Sequence, residues 1–89
     1  MVDEYPQFEL GQRVAVHSNW NWPDSPTGTI AEPMHPMAGS GWGPLYRTSL
    51  ARGKRERSYW VEFDTFQNDS DGDGLYVAGE VYEQNLVKI

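Results

Sequence analysis

Ser58-Tyr59-Trp60-Val61-Glu62-Phe63-Asp64 is the stretch on which the fold turns. Successive side chains of a β-strand point to opposite faces. An extended backbone here therefore sends Tyr59, Val61 and Phe63 one way and Trp60, Glu62 and Asp64 the other. That period of two marks a strand with a buried face. It is the strongest strand signal in the chain.

Working outward, Gln12 to His17 repeats the pattern, with Val14 and Val16 inward and Arg13, Ala15 and His17 outward. Residues 18–28 (Ser-Asn-Trp-Asn-Trp-Pro-Asp-Ser-Pro-Thr-Gly) have the chemistry of a loop. Thr29 to Glu32 resumes a strand with Ile30 inward. On the other side, a polar loop runs through Gly74, and a short strand follows near Leu75 to Val77. Glu80 to Asn85 suits one 3₁₀ turn, and Leu86 to Ile89 closes as a last strand. Between Pro33 and Gly53 the chain reads as irregular, with Met34-His35-Pro36-Met37 and a Gly-rich run around Trp42; an insertion over roughly 33–57 is expected. The expectation is an all-β domain of about five short strands, closed as a small barrel so that no long edge is left exposed.

Composition agrees with one folded domain spanning residues 1–89. The chain has 89 residues, of which 13% are aromatic, 38% hydrophobic and 22% charged, a supply of core-forming side chains that disordered chains lack. It has no cysteine, so disulfides, thiolate metal sites and cysteine nucleophiles are excluded. No apolar run approaches the ~20 residues that cross a bilayer, and the first residues do not resemble a secretory signal. No membrane association and a cytoplasmic location are the expectations. Net charge is −6, which disfavours non-specific binding to phosphate backbones. Charge is nevertheless unevenly spread. Arg47, Arg52, Lys54, Arg55 and Arg57 lie within eleven positions, and acids concentrate from Glu56 to Asp73.

The series Gly11-x-Arg13-Val14-x-Val16, Gly28-Thr29-Ile30, Tyr59-x-Val61-x-Phe63 and Glu80-x₅-Leu86 resembles the SH3-like barrels of the electron-transport accessory group. That group includes the small photosystem I peripheral subunit that helps dock ferredoxin, the variable chain of ferredoxin-thioredoxin reductase, and the C-terminal domain of the nitrile hydratase β chain. The likeness covers the chain apart from the insertion and the acidic loop. These motifs encode turns and core positions, so they speak to fold more than to function. The resemblance implies a domain without catalytic residues of its own that docks or stabilises a protein partner in a larger complex.

Asp69-Ser70-Asp71-Gly72-Asp73-Gly74-Leu75-Tyr76-Val77-Ala78-Gly79-Glu80 matches the calcium-loop pattern D-x-D-x-D-G-x₅-E. Calcium takes six to eight oxygens, and Asp69, Asp71, Asp73 and a bidentate Glu80 would supply several. An EF-hand loop, however, joins two helices, whereas both flanks here read as β. The alternative is a solvated acidic hairpin tip.

Four tryptophans offer apolar contacts. Trp20 and Trp22 lie two apart in a loop, Trp42 sits in the insertion, and Trp60 takes the outward phase of its strand. Exposed tryptophan is enriched at interface hot spots, while buried tryptophan completes small cores. The expected partner surface combines Trp20, Trp22 and Trp60 with the basic set Arg47, Arg52, Lys54, Arg55 and Arg57. Aromatic rings beside a basic stretch also suit single-stranded nucleic acid, a reading the net charge opposes. Catalysis finds little footing. His17 and His35 are the only histidines, and Gly39-Ser40-Gly41-Trp42-Gly43 lacks the lysine of a phosphate-binding loop.

Overall fold

The computed structural model describes residues 7–17, 22, 24–33, 39, 41–51, 54–67 and 75–89, with backbone alone for 49–51 and 54. Six strands follow in order: β1 (Arg13–Val16), β2 (Thr27–Ala31), β3 (Tyr46–Ala51), β4 (Lys54–Gln67), β5 (Tyr76–Tyr82) and β6 (Leu86–Lys88). A 3₁₀ turn, Glu83–Asn85, separates β5 from β6. No described residue is α-helical, and among the described residues no helix is long and apolar enough to cross a membrane. The all-β expectation holds.

The strands form one antiparallel sheet in the order β3-β4-β2-β1-β6, with β5 added to β4. β4 is the spine. Residues Lys54 to Tyr59 pair with β3, and Trp60 to Phe63 pair with β2. β5 pairs with β4 from Ser58↔Tyr82 to Gln67↔Tyr76, with a register shift between Glu62 and Gln67. Extra residues on one strand at that point bend it, as bulges do. β6 returns to β1 through Val14↔Lys88 and Val16↔Leu86, so the first and last strands lie side by side. The described strands form an open sheet, with β5 and β6 each paired on one side only.

Alternation along each strand explains the core. Val14 and Val16 from β1, Ile30 from β2, Tyr59, Val61 and Phe63 from β4, and Val81 from β5 pack together with Phe8, Trp22 and Leu86. Tyr59, Val61 and Val14 are fully buried. Gly28 has a packing reason to lack a side chain: a Cβ there would overlap the Glu62 carbonyl and lie 2.8 Å from Val61 Cγ1. The Gly28-Thr29-Ile30 motif therefore marks a close approach of β2 to β4. Two backbone bonds brace the chain ends of the sheet. Ile30 N–H donates to Gln12 O (2.9 Å), and His17 N–H donates to Asn85 O (2.8 Å).

Several boundaries differ from the sequence reading. The expected insertion over 33–57 is not irregular where it is described beyond residue 45: Tyr46–Ala51 is a strand, and β4 begins at Lys54. The 3₁₀ turn is confined to Glu83–Asn85, because Glu80, Val81 and Tyr82 continue the β5 ladder against Trp60, Tyr59 and Ser58. Among the described residues there are six strands where about five were expected.

Candidate functional site

The face of β4 opposite the main core is covered at one place. Trp60 is 5% exposed and packs with Ala78, with Ala31 and Trp42 against them. The pairing dictates this grouping, since Ala31 and Glu80 are the direct partners of Trp60 on its two sides. The Trp42 ring meets Trp60 edge-to-face at 6.3 Å, and the Arg47 guanidinium lies 5.0 Å from the Trp42 ring centre. Arg47 also grips Glu80: its Nε donates to Oε2 at 3.0 Å and its Nη2 donates to Oε1. Ser58 Oγ donates to the same carboxylate. One side chain from each of β3, β4 and β5 thus ties three strands together at a half-buried site. A two-pronged, charge-assisted contact of this kind is among the stronger polar interactions available.

A second tie surrounds Glu83 in the 3₁₀ turn. Tyr59 Oη donates to its Oε2 at 2.5 Å, Gln7 N–H donates to it at 3.4 Å, and Arg57 Nη1 stands 3.6 Å away. Burial, then the bond to Glu83 and its negative charge, push the Tyr59 phenol well above the usual tyrosine range. A third tie lies on the outer face of β1, β2 and β4. Arg13 donates to both Asp64 oxygens (2.7 and 2.6 Å) and to Thr29 Oγ1 (2.9 Å), and Thr27 Oγ1 donates to Asp64 at 2.6 Å. These bonds from Arg13 and Thr27 hold the Asp64 carboxyl well below the usual carboxylate range.

The far end of β4 is different in character. Phe66 (64% exposed), Leu75 (65%) and Val77 (49%) present apolar side chains to solvent. They surround the Gln67↔Tyr76 pair that closes the β4–β5 ladder. Gln67 is buried and Tyr76 packs on the main core. Tyr76 packs on the main core while Ala78 packs with Trp60 on the opposite face, so the regular alternation of β5 is interrupted at Val77, beside the register shift in the β4–β5 ladder.

The residues expected to form a partner surface are placed as follows. Trp22 is buried in the main core, its ring 4.7 Å from Phe63 and 5.7 Å from Tyr76, and its Nε1 donates to Glu80 O at 3.2 Å. The Trp22 ring lies over Gly79, where any Cβ would overlap it. Trp60 is likewise buried. Both rings are packing residues, which corrects the expectation that they are exposed contacts: the outward phase of Trp60 is real, but a second small cluster covers it. Trp20 and Arg52 lie outside the described residues, as does the side chain of Lys54. Arg47 and Arg57 turn back onto Glu80 and Glu83, and Arg57 lies over the Tyr46 ring at 5.3 Å. Arg55 is exposed.

Of the four calcium candidates, Asp69, Asp71 and Asp73 lie outside the described residues. Glu80 stands within β5 with Arg47 and Ser58 as partners, so using it as a ligand would break that tie. The segment carrying the aspartates joins two antiparallel strands, not two helices. Among the described residues, no three His, Asp or Glu side chains gather as a metal would need. His17 is exposed at the end of β1, and His35 lies outside the described residues. The exposed apolar residues were missed in the sequence because Phe66 falls where the chain reads as entering a polar loop, and Leu75 to Val77 reads only as a short strand. No family model, no curated protein and no solved structure matches the chain.

Proposed function

We propose that this domain is a non-catalytic protein-binding or accessory module that docks or stabilises a partner in a larger complex. The observation that carries the reading is the exposure of three large apolar residues, Phe66, Leu75 and Val77, within two residues in sequence of the Gln67↔Tyr76 pair that ends the β4–β5 ladder. Grouped apolar side chains of this exposure mark interaction sites more often than scattered ones do. The Trp42 and Trp60 rings and the three ion-paired ties stiffen the sheet that presents this end, and a rigid contact surface loses less freedom on binding.

The test is affinity capture from the native host with the chain and with a Phe66→Ser, Leu75→Ser double variant. A partner retained by the first and lost by the second is the expected result. A partner retained equally by both overturns this placement of the surface.

A further inference from the structure

We infer that the open edge of β6 docks an extended, acid-bearing segment of a protein partner as an added antiparallel strand. The inference rests on the protein-binding reading but stands apart from Phe66, Leu75 and Val77. Strand pairing carries it. Among the described residues, β6 pairs with β1 alone. His17 N–H donates to Asn85 O at 2.8 Å, and Ile89 N–H donates to Arg13 O at 3.2 Å. In an antiparallel ladder, pairs that exchange such bonds alternate with pairs that do not. Asn85, Val87 and Ile89 therefore turn their backbone groups to β1, and Lys88 turns its N–H and C=O to the open side. Leu86 has the phase of Lys88, but its N–H donates to Glu83 O at the 3₁₀ turn. An incoming strand thus meets a donor at Lys88 and acceptors at Lys88 and Leu86.

The side chains of this edge specify the strand that fits. Val87 stands opposite Ala15, and the neighbours of Ala15, Val14 and Val16, are buried in the core. Paired residues share a face and successive ones alternate, so Ala15 and Val87 lie together on the outer face. Ile89, bonded to Arg13 and two residues on from Val87, continues that row. Val87 is 41% exposed and Ile89 62%. Lys88, opposite Val14, takes the other face at the rim. It is exposed, its Nζ lies 6.0 Å from the Phe8 ring centre, and it has no ion pair among the described residues. Two copies paired about Lys88 would set like charges side by side, which disfavours a second copy. A carboxylate opposite Lys88, with apolar side chains beside Val87 and Ile89, satisfies both faces. Main-chain bonds then give affinity, and alternate side chains give selectivity.

The experiment uses the whole chain, isotopically labelled, with a short peptide alternating valine and glutamate and another alternating valine and lysine. Salt is held at about 0.15 M, where exposed charges more than about 8 Å apart are screened. The net charge of −6 opposes the glutamate peptide, so its saturable binding reports the local contact. In the free chain, the Lys88 amide should exchange with solvent faster than that of Val87. The glutamate peptide should move the amide signals of residues 13–16 and 85–89 and slow Lys88 exchange about tenfold. Lys88→Glu should transfer the preference to the lysine peptide, with retained signal dispersion verifying the fold. A glutamate peptide N-methylated at its glutamates should not bind. Equal binding of the two peptides overturns the inference, as does binding that survives N-methylation. Slow Lys88 exchange in the dilute free chain means the edge is already covered by the chain itself, and slowing on concentration assigns it to a second copy; either result overturns it. If neither peptide binds while host capture still depends on Phe66, the β6 inference fails and the protein-binding reading stands. If that dependence is absent too, both fail.

Discussion

Asp64 is exposed, yet its carboxylate accepts two bonds from Arg13 and one from Thr27. Those bonds hold its acidity below the usual range, so the folded chain resists protonation there more than the unfolded chain does. The contribution is therefore present above the ordinary aspartate pKa of about 3.9 and is lost as pH falls below it. Asp64→Asn should flatten the fall in urea midpoint below about pH 4, and an unchanged acid profile would remove Asp64 from the account. Tyr59 has the opposite sign. Its phenol is raised, so its contribution holds below the ordinary tyrosine pKa of about 10 and is lost as pH rises above it. Near-ultraviolet titration should show a late phenolate step coinciding with unfolding, and Tyr59→Phe should remove that step. Trp60 is the residue whose role the sequence left open. Alternation assigns a side chain to a face but does not say whether anything covers that face. With the ring 5% exposed against Ala78, Ala31 and Trp42, Trp60→Ala should cost about 3–5 kcal/mol in chemical denaturation.

At the scale of elements, β4 organises the molecule by sharing one edge between β3 and β2 and giving the other to β5. Its central part was legible in the sequence because Tyr59, Val61 and Phe63 are packed into the core, and burial imposes the period of two. β1 and β2 were legible for the same reason. β3 was not: Tyr46-Arg47-Thr48-Ser49-Leu50-Ala51 pairs with the first residues of β4, where Arg55 is exposed and no apolar alternation is needed. Tyr46 packs against the main core there, 6.2 Å from Tyr59. Glu80 was recognised by its position in a calcium pattern, but the strand pairing that sets it beside Trp60 and within reach of Arg47 joins residues far apart in the chain. Such pairing leaves no local signature. Glu80→Gln should lower stability by about 1–3 kcal/mol and broaden amide signals in β3 more than in β1. Broadening spread evenly over the sheet would show that the Arg47–Glu80–Ser58 tie does not hold β3 in place.

Over the described residues, a close-packed interior contrasts with exposed apolar side chains at Phe66, Leu75 and Val77, and at Leu10, Val87 and Ile89. The arginines at 13, 47 and 57 are committed to ties within the sheet, and Trp22 and Trp60 fill its two packed clusters. What remains outward at the end of the β4–β5 pair is apolar and, by its sequence surroundings, acidic. On the proposed reading, that end contributes contact rather than stability. The direct measurement is thermal unfolding and partner capture on the same Phe66→Ser, Val77→Ser double variant. Stability within about 0.5 kcal/mol of the unaltered chain, together with loss of capture, is the predicted result. A variant that unfolds, or one that stays folded and still captures its partner, contradicts it.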